Sequence, residues 1–207
     1  MLSTKEGDQM RILLAVSERD LLLCLQKALE FDGHDVIPAF DGVQAAASLQ
    51  NDLPDAAIIH EKLTRITADQ ITESLNINGV PSIMLNVSRI NEETLCTENT
   101  ASSYLAFPFS PDELKSKLKA VMQIKQYGSE YDIFNVKIDE KRFKIGETKL
   151  TAEEIAILAH LAQNKTIPNE CPYIYIGALN KKLACEQCGV RIEYVKNLGY
   201  RQVNDDE

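Results

Sequence analysis

From Arg11 to about Lys125 the sequence alternates apolar runs of strand length with amphipathic stretches of helical period. This alternation is the strongest constraint on the fold, because parallel strands need crossover connections and a parallel sheet needs helices on both faces. "RILLAV" is the first strand, and the stretch from Asp20 to Glu30 puts Leu21, Leu22, Leu25, Ala28 and Leu29 on one helical stripe. "HDVIPAF" is a weak second strand whose Pro38 suggests an edge position, and a helix through "VQAAASLQ" follows. "DAAIIH", "VPSIMLNV" and "SSYLAF" supply the third, fourth and fifth strands. A last helix opens on Ser110 as cap, with Pro111 in its first position and Asp112 and Glu113 in its positive first turn. Its Leu114, Leu118 and Val121 face the sheet. The expected architecture over residues 10–125 is α/β, a doubly wound five-stranded parallel sheet, where function gathers at the carboxyl ends of the strands. His60 stands at one of those ends.

Residues 126–131, "QYGSEY", read as a polar linker, and beyond them the period changes. "IFNVKIDEKRFKIGETKL" holds short alternating strands with a turn at Gly146. "LTAEEIAILAHLAQN" opens a helix on a capping box, Thr151 with Glu154, and buries Ile155, Leu158 and Leu161. A second helix through "IYIGALNKKLA" and a terminal hairpin "RIEYVKNLGYRQV" complete a small α+β domain over residues 132–204.

The formal net charge is −9, and most of the excess acid lies in residues 1–127. Neither half coats nucleic acid by charge alone, so any DNA contact must come from a local patch. No apolar run reaches the length of a membrane span and the amino terminus lacks a signal pattern, so the expectation is a cytoplasmic protein without a membrane partner. Five cysteines at irregular spacing argue against a disulfide framework. Cys185 and Cys188 form one C-x-x-C, and with Cys171 and His160 a zinc site is conceivable, but one such pair is a weak signal. Ordinary thiols, no metal and no cofactor are expected.

In this order the two halves resemble OmpR/PhoB-type response regulators, a receiver followed by a winged-helix DNA-binding domain. The most specific match is "ALNKKL" followed by "RIEYVKNLGYR", similar to the family's recognition-helix end and wing. The resemblance implies a flavodoxin-like strand order and no catalysis. It implies that Leu179 and Leu183 anchor the recognition helix while Asn180, Lys181 and Lys182 point outward to DNA. Arg191, Lys196, Tyr200 and Arg201 would act from the wing, where Asn197 replaces a turn glycine, and Tyr173 and Tyr175 are either DNA contacts or core.

The family's receiver is phosphorylated on an aspartate at the third strand's tip, beside an acidic pair that holds Mg²⁺, a hydroxyl residue and a lysine. Here His60 stands at the acceptor position, Val16 and Ser17 at the acidic pair, Asn86 at the hydroxyl and Phe107 at the lysine. Glu18 alone does not rebuild the pocket, whereas the switch aromatic is retained as Tyr104. His60 could accept phosphate on nitrogen or sense pH, but the simpler reading is a partly buried, hydrogen-bonded histidine filling the vacated space. The reading taken is an atypical, phosphorylation-independent response regulator that binds double-stranded promoter DNA, with homodimerisation through the receiver and a possible protein partner. The interval from Leu150 to Leu183 is shorter than the family's, and Gly177 and Ala178 stand where outward arginines are usual. The competing reading is therefore a protein–protein adaptor of two degenerate domains without specific DNA binding.

Overall fold

The computed structural model describes residues 9–86, 101–127, 130–133, 136–139, 144–164, 166–167, 173–196 and 199–204. The expectations placed on Gly128, Cys171, Asn197 and the side chain of Asn86 lie outside the described residues. The chain divides into two compact units, Met1–Arg89 with Tyr104–Met122, and Ile90–Ser103 with Gln123–Glu207.

The first unit is built on β1 (Arg11–Ala15), β2 (Asp35–Ala39), β3 (Ala56–His60), β4 (Ser82–Asn86) and β5 (Ser103–Ala106), in the order β2-β1-β3-β4-β5. The pairs β1–β2, β1–β3 and β3–β4 are parallel. The expected five-stranded doubly wound sheet is thus present, and β2 is an edge strand, where Pro38 costs no ladder bond on the outer side. Helices α1 (Arg19–Phe31), α2 (Gly42–Asn51), α3 (Ala68–Ile77) and α4 (Pro111–Tyr127) accompany it. Ile12, Leu13, Leu14, Ile58, Ile59, Ile83 and Leu85 are fully buried in the sheet, and Leu22, Leu29, Ile71 and Leu75 in the helices. Each contributes about 1.5–3 kcal/mol relative to exposure.

Caps fix the helix starts. Ser110 and Glu113 bond reciprocally, the Ser110 N–H to Glu113 Oε2 at 2.6 Å and the Glu113 N–H to Ser110 Oγ at 3.2 Å. Thr67 and Gln70 form a second capping box at α3. Gly42 opens α2 against the loop after β3: its N–H donates to the Thr64 carbonyl at 2.9 Å, and a Cβ there would sit 2.1 Å from the Ile66 carbonyl oxygen. Only glycine allows that approach.

The second unit contains the antiparallel strands β6 (Glu130–Ile133), β7 (Val136–Asp139), β8 (Lys144–Ile145) and β9 (Thr148–Lys149). Gly146, at φ +56°, makes the turn between β8 and β9. Next come α5 (Ala152–Asn164), β10 (Thr166–Ile167), α6 (Tyr173–Cys185) and the hairpin β11 (Val190–Val195) with β12 (Gly199–Asn204). The last three strands form a sheet in the order β10-β12-β11. Ile155, Leu158 and Leu161 of α5 pack inward as their spacing predicts.

Candidate functional site

In the first unit the tips of β1, β3 and β5 carry the residues in question. Val16 continues β1, donating its N–H to the Ala39 carbonyl at 2.9 Å, and is fully buried. Ser17 follows, with its Oγ buried and without a partner. Glu18 is the exposed residue before α1 and makes no side-chain cap. His60 is 1% exposed and its Nδ1 has no hydrogen-bond partner, which corrects the expected partly buried, hydrogen-bonded histidine: the ring is fully buried and Nδ1 is unpaired. Phe107 meets the imidazole edge-on, centroids 6.0 Å apart at 89°, and Phe109 tilts against Phe107 at 4.7 Å. Tyr104, on β5, is buried.

This environment is apolar, and burial pushes the His60 pKa below its ordinary value against the opposing pull of Glu18 and Glu61, with Lys62 adding to the lowering. The folded state therefore holds the imidazole neutral, while the unfolded chain takes up a proton at about pH 6.5. The stability this provides is present above that pH and is lost as pH falls through it toward the folded value, at up to about 1.4 kcal/mol per pH unit. Denaturant midpoints measured at pH 7.5 and 5.5 are expected to fall more for the wild type than for His60→Asn, and parallel profiles would refute the assignment.

Mg²⁺ seeks hard oxygen ligands in octahedral array. Val16 offers none, the buried group at the tip of β3 is an imidazole, and the described residues contain no cluster of three metal-ligating side chains. The residues present do not fit that ion.

In the second unit the expected capping box is formed, the Thr151 N–H donating to Glu154 Oε2 at 2.8 Å and the Glu154 N–H to Thr151 Oγ1 at 3.2 Å. The same Glu154 Oε2 accepts from Lys182 Nζ at 2.7 Å. Lys182 is 3% exposed and Glu154 fully buried, so the outward placement expected for Lys182 is corrected: its charge is turned into the unit. Burial raises the Glu154 pKa, and the Lys182 ammonium opposes that rise. Asn180 is likewise not directed outward. Its Nδ2 donates to the Ile192 carbonyl at 2.9 Å and its Oδ1 accepts the Ile192 N–H at 2.7 Å, which ties α6 to β11. Tyr175 is core, settling that alternative, whereas Tyr173 is 70% exposed.

Leu179 and Leu183 anchor α6 as expected, and Lys181 is exposed. Gln187, at φ +52°, ends the helix in the left-handed region, and the Cys188 N–H returns to the Leu183 carbonyl at 3.1 Å. On the hairpin Arg191 pairs with Glu193 at 2.6 Å, Lys196 and Arg201 are exposed, and Tyr200 is half-buried. Tyr194, which the sequence reading passed over, is exposed and directly opposite Tyr200. Cys24 and Cys185 are exposed free thiols, and Cys188 is half-buried.

A parallel sheet in the order β2-β1-β3-β4-β5 with its helices has a receiver-type fold, and a small domain of helices and a hairpin follows it. The homologues are response regulators of the OmpR/PhoB family, transcription regulators rather than enzymes. No protein-family model matches the chain. It is 26% identical to the alkaline phosphatase synthesis transcriptional regulatory protein PhoP of Bacillus subtilis over 174 residues, covering 75% of this chain and 72% of PhoP. It is 27% identical to the transcriptional regulatory protein PrrA of Mycobacterium tuberculosis over 168 residues, with the same coverages. The match to the response regulator MprA of Mycobacterium avium, at 28% identity, spans 55% of this chain and 51% of MprA. Among solved structures, a mutant of RitR aligns over 94% of this chain and 99% of its own with a TM-score of 0.65 at 21% identity. A receiver domain from Methanospirillum hungatei covers 59% of this chain and all of its own, with a TM-score of 0.54 at 22% identity. Among the described residues no helix is long and apolar enough to cross a membrane.

Proposed function

We propose that the chain is an atypical response regulator that binds duplex promoter DNA through a carboxy-terminal winged-helix domain, independently of phosphorylation, and dimerises through its receiver in the cytoplasm. The observation that carries the DNA-binding reading is the match to PhoP and PrrA, both transcriptional regulatory proteins, over three quarters of the chain. Phosphorylation independence rests on the buried His60 in T-shaped contact with Phe107, and on the fully buried Val16 that follows β1. With Val16 and an imidazole where the resemblance expects carboxylates, and Phe107 where it expects a lysine, little neutralises a transferring phosphoryl group.

Lys181, Lys196 and Arg201 are the exposed cations that this reading assigns to phosphates. Selection from a random duplex pool with the whole protein, at near-physiological salt, should recover binding whose logarithm falls linearly with that of salt. Each of Lys181→Ala, Lys196→Ala and Arg201→Ala should lower the slope by about 1. A phosphoryl mimic with Mg²⁺ should leave oligomeric state and melting temperature unchanged. The inward turn of Asn180 and Lys182 favours a second reading, an adaptor that binds proteins. That reading predicts neither an enriched motif nor salt-dependent DNA affinity.

A further inference from the structure

We propose that Lys149, paired across a two-residue turn with Lys144, is an acylation site that accepts acyl groups from acyl phosphates. The proposal stands apart from the DNA-binding reading above. In the β8–β9 hairpin Lys144 is directly opposite Lys149, and Ile145 is directly opposite Thr148. Opposed residues share a face of the ribbon, with Cβ atoms about 4.5–5.5 Å apart, and like charges so placed repel. Ile145 takes the fully buried side, which leaves both lysines, each half-buried, together on the other.

Two ammonium groups in this position ease their repulsion when one gives up its proton. Lys144 has a counter-ion in Glu147, whose Oε2 lies 3.5 Å from its Nζ. Burial first, and then the Lys144 charge, push the Lys149 pKa down to about 8. The other charged groups of the neighbouring elements are Glu186, which accepts from the Thr148 hydroxyl, and Glu153 and Glu154 in the first turn of α5, the latter paired with Lys182. At pH 7.5 about a quarter of Lys149 is therefore free amine, against about a thousandth of an ordinary lysine. A lysine beside another cationic group is activated as a nucleophile in this way.

The same pair selects the acyl donor. The Lys144 ammonium draws an anionic reagent, and an acyl phosphate joins an electrophilic carbonyl to a phosphate that such a cation neutralises as it leaves. Lys149 Nζ attacks the carbonyl carbon and a C–N bond forms. The C–O bond to phosphate breaks, and the phosphate departs with that electron pair and takes up the proton the amine loses. The products are an Nε-acyl-lysine and inorganic phosphate, with no change of oxidation state. Acylation leaves one cation where there were two, in a hairpin whose Thr148 holds Glu186 just beyond the carboxyl end of α6.

The test treats the full chain with acetyl phosphate in the absence of Mg²⁺, from pH 6.5 to 10, and follows each lysine by peptide mass spectrometry at low conversion. At pH 7.5 Lys149 should be acetylated about tenfold faster than the exposed Lys27 and Lys119, because its larger amine fraction outweighs the lower nucleophilicity of a weaker base. Its rate should level off above about pH 8.5, whereas theirs should climb to pH 10. Lys144→Gln should move the Lys149 profile to higher pH and lower its rate at pH 7.5 severalfold, with Lys27 and Lys119 unaffected. A parallel series with S-acetyl-N-acetylcysteamine, an uncharged thioester, separates the donor from the nucleophile. The preference of Lys149 for acetyl phosphate over the thioester should exceed that of Lys27, and Lys144→Gln should abolish the excess. A Lys149 rate no greater than that of Lys27, or one that climbs to pH 10, would overturn the site. An excess absent from the wild type, or retained in Lys144→Gln, would overturn the acyl-phosphate assignment alone.

Discussion

Replacing Lys182 by methionine is expected to destabilise the carboxy-terminal unit by about 3–5 kcal/mol, the cost of leaving a partner charge buried alone. Glu154 is fully buried, its Oε1 has no partner, and its Oε2 is held by the Thr151 N–H and the Lys182 ammonium. Without the ammonium the carboxylate must either stay ionised in an apolar setting or take up a proton, and both disfavour the native state at neutral pH. Native-state hydrogen exchange is the suitable measurement, because two units need not unfold as one. Amides of α5 and α6 should exchange faster while those of β1, β3 and β4 keep their protection. Adding Glu154→Gln should recover most of the loss, since a neutral amide can still accept from Thr151. If Lys182→Met lowered DNA affinity with protection unchanged, the ammonium would face solvent and the ion pair would be refuted.

The burial of Lys182 was written in the sequence, although its chemistry suggested the reverse. Tyr175, Ala178, Leu179, Lys182 and Leu183 fall on the i, i+3, i+4, i+7, i+8 stripe that a helix turns to its core, and all five are buried. A lysine on such a stripe is a sign of a buried partner. The partner was also visible as Glu154, read only as half of a capping box; one oxygen serves both roles. Likewise "TADQ" announced the capping box of α3. Other features depend on pairings that no local pattern encodes. Strand alternation places His60 at the tip of β3, but its contact with Phe107 exists only because β3 and β5 lie in one sheet. Alternation equally puts Tyr194 on the face of Ile192, and only the extent of the covering core decides that Ile192 is buried and Tyr194 exposed. Pro38 was legible because its missing donor admits few places in a sheet, and an edge strand is one of them.

His60→Asp, which restores the aspartate that the resemblance expects at this position, should destabilise the first unit by several kcal/mol at neutral pH rather than rebuild a phosphorylation site. The carboxylate would stand where His60 is 1% exposed, against Phe107, with Glu18 and Glu61 acting on it more strongly than Lys62. Burial and like charges both raise a carboxyl pKa above its unfolded value of about 3.9. A raised folded pKa means that the penalty is absent at pH below the unfolded value and grows as pH rises through the folded one. The wild type behaves oppositely, since neutral His60 loses stability as pH falls, so the stability difference between the two proteins should narrow on acidification. Denaturant midpoints of both from pH 4 to 8, with and without Mg²⁺, measure this. Mg²⁺ should protect neither protein, because Val16 gives the ion no oxygen ligand and one new carboxylate leaves its octahedron mostly to water. A variant that Mg²⁺ stabilised, or that formed an adduct with a phosphoryl mimic, would show that this tip still accommodates the chemistry and would overturn phosphorylation independence.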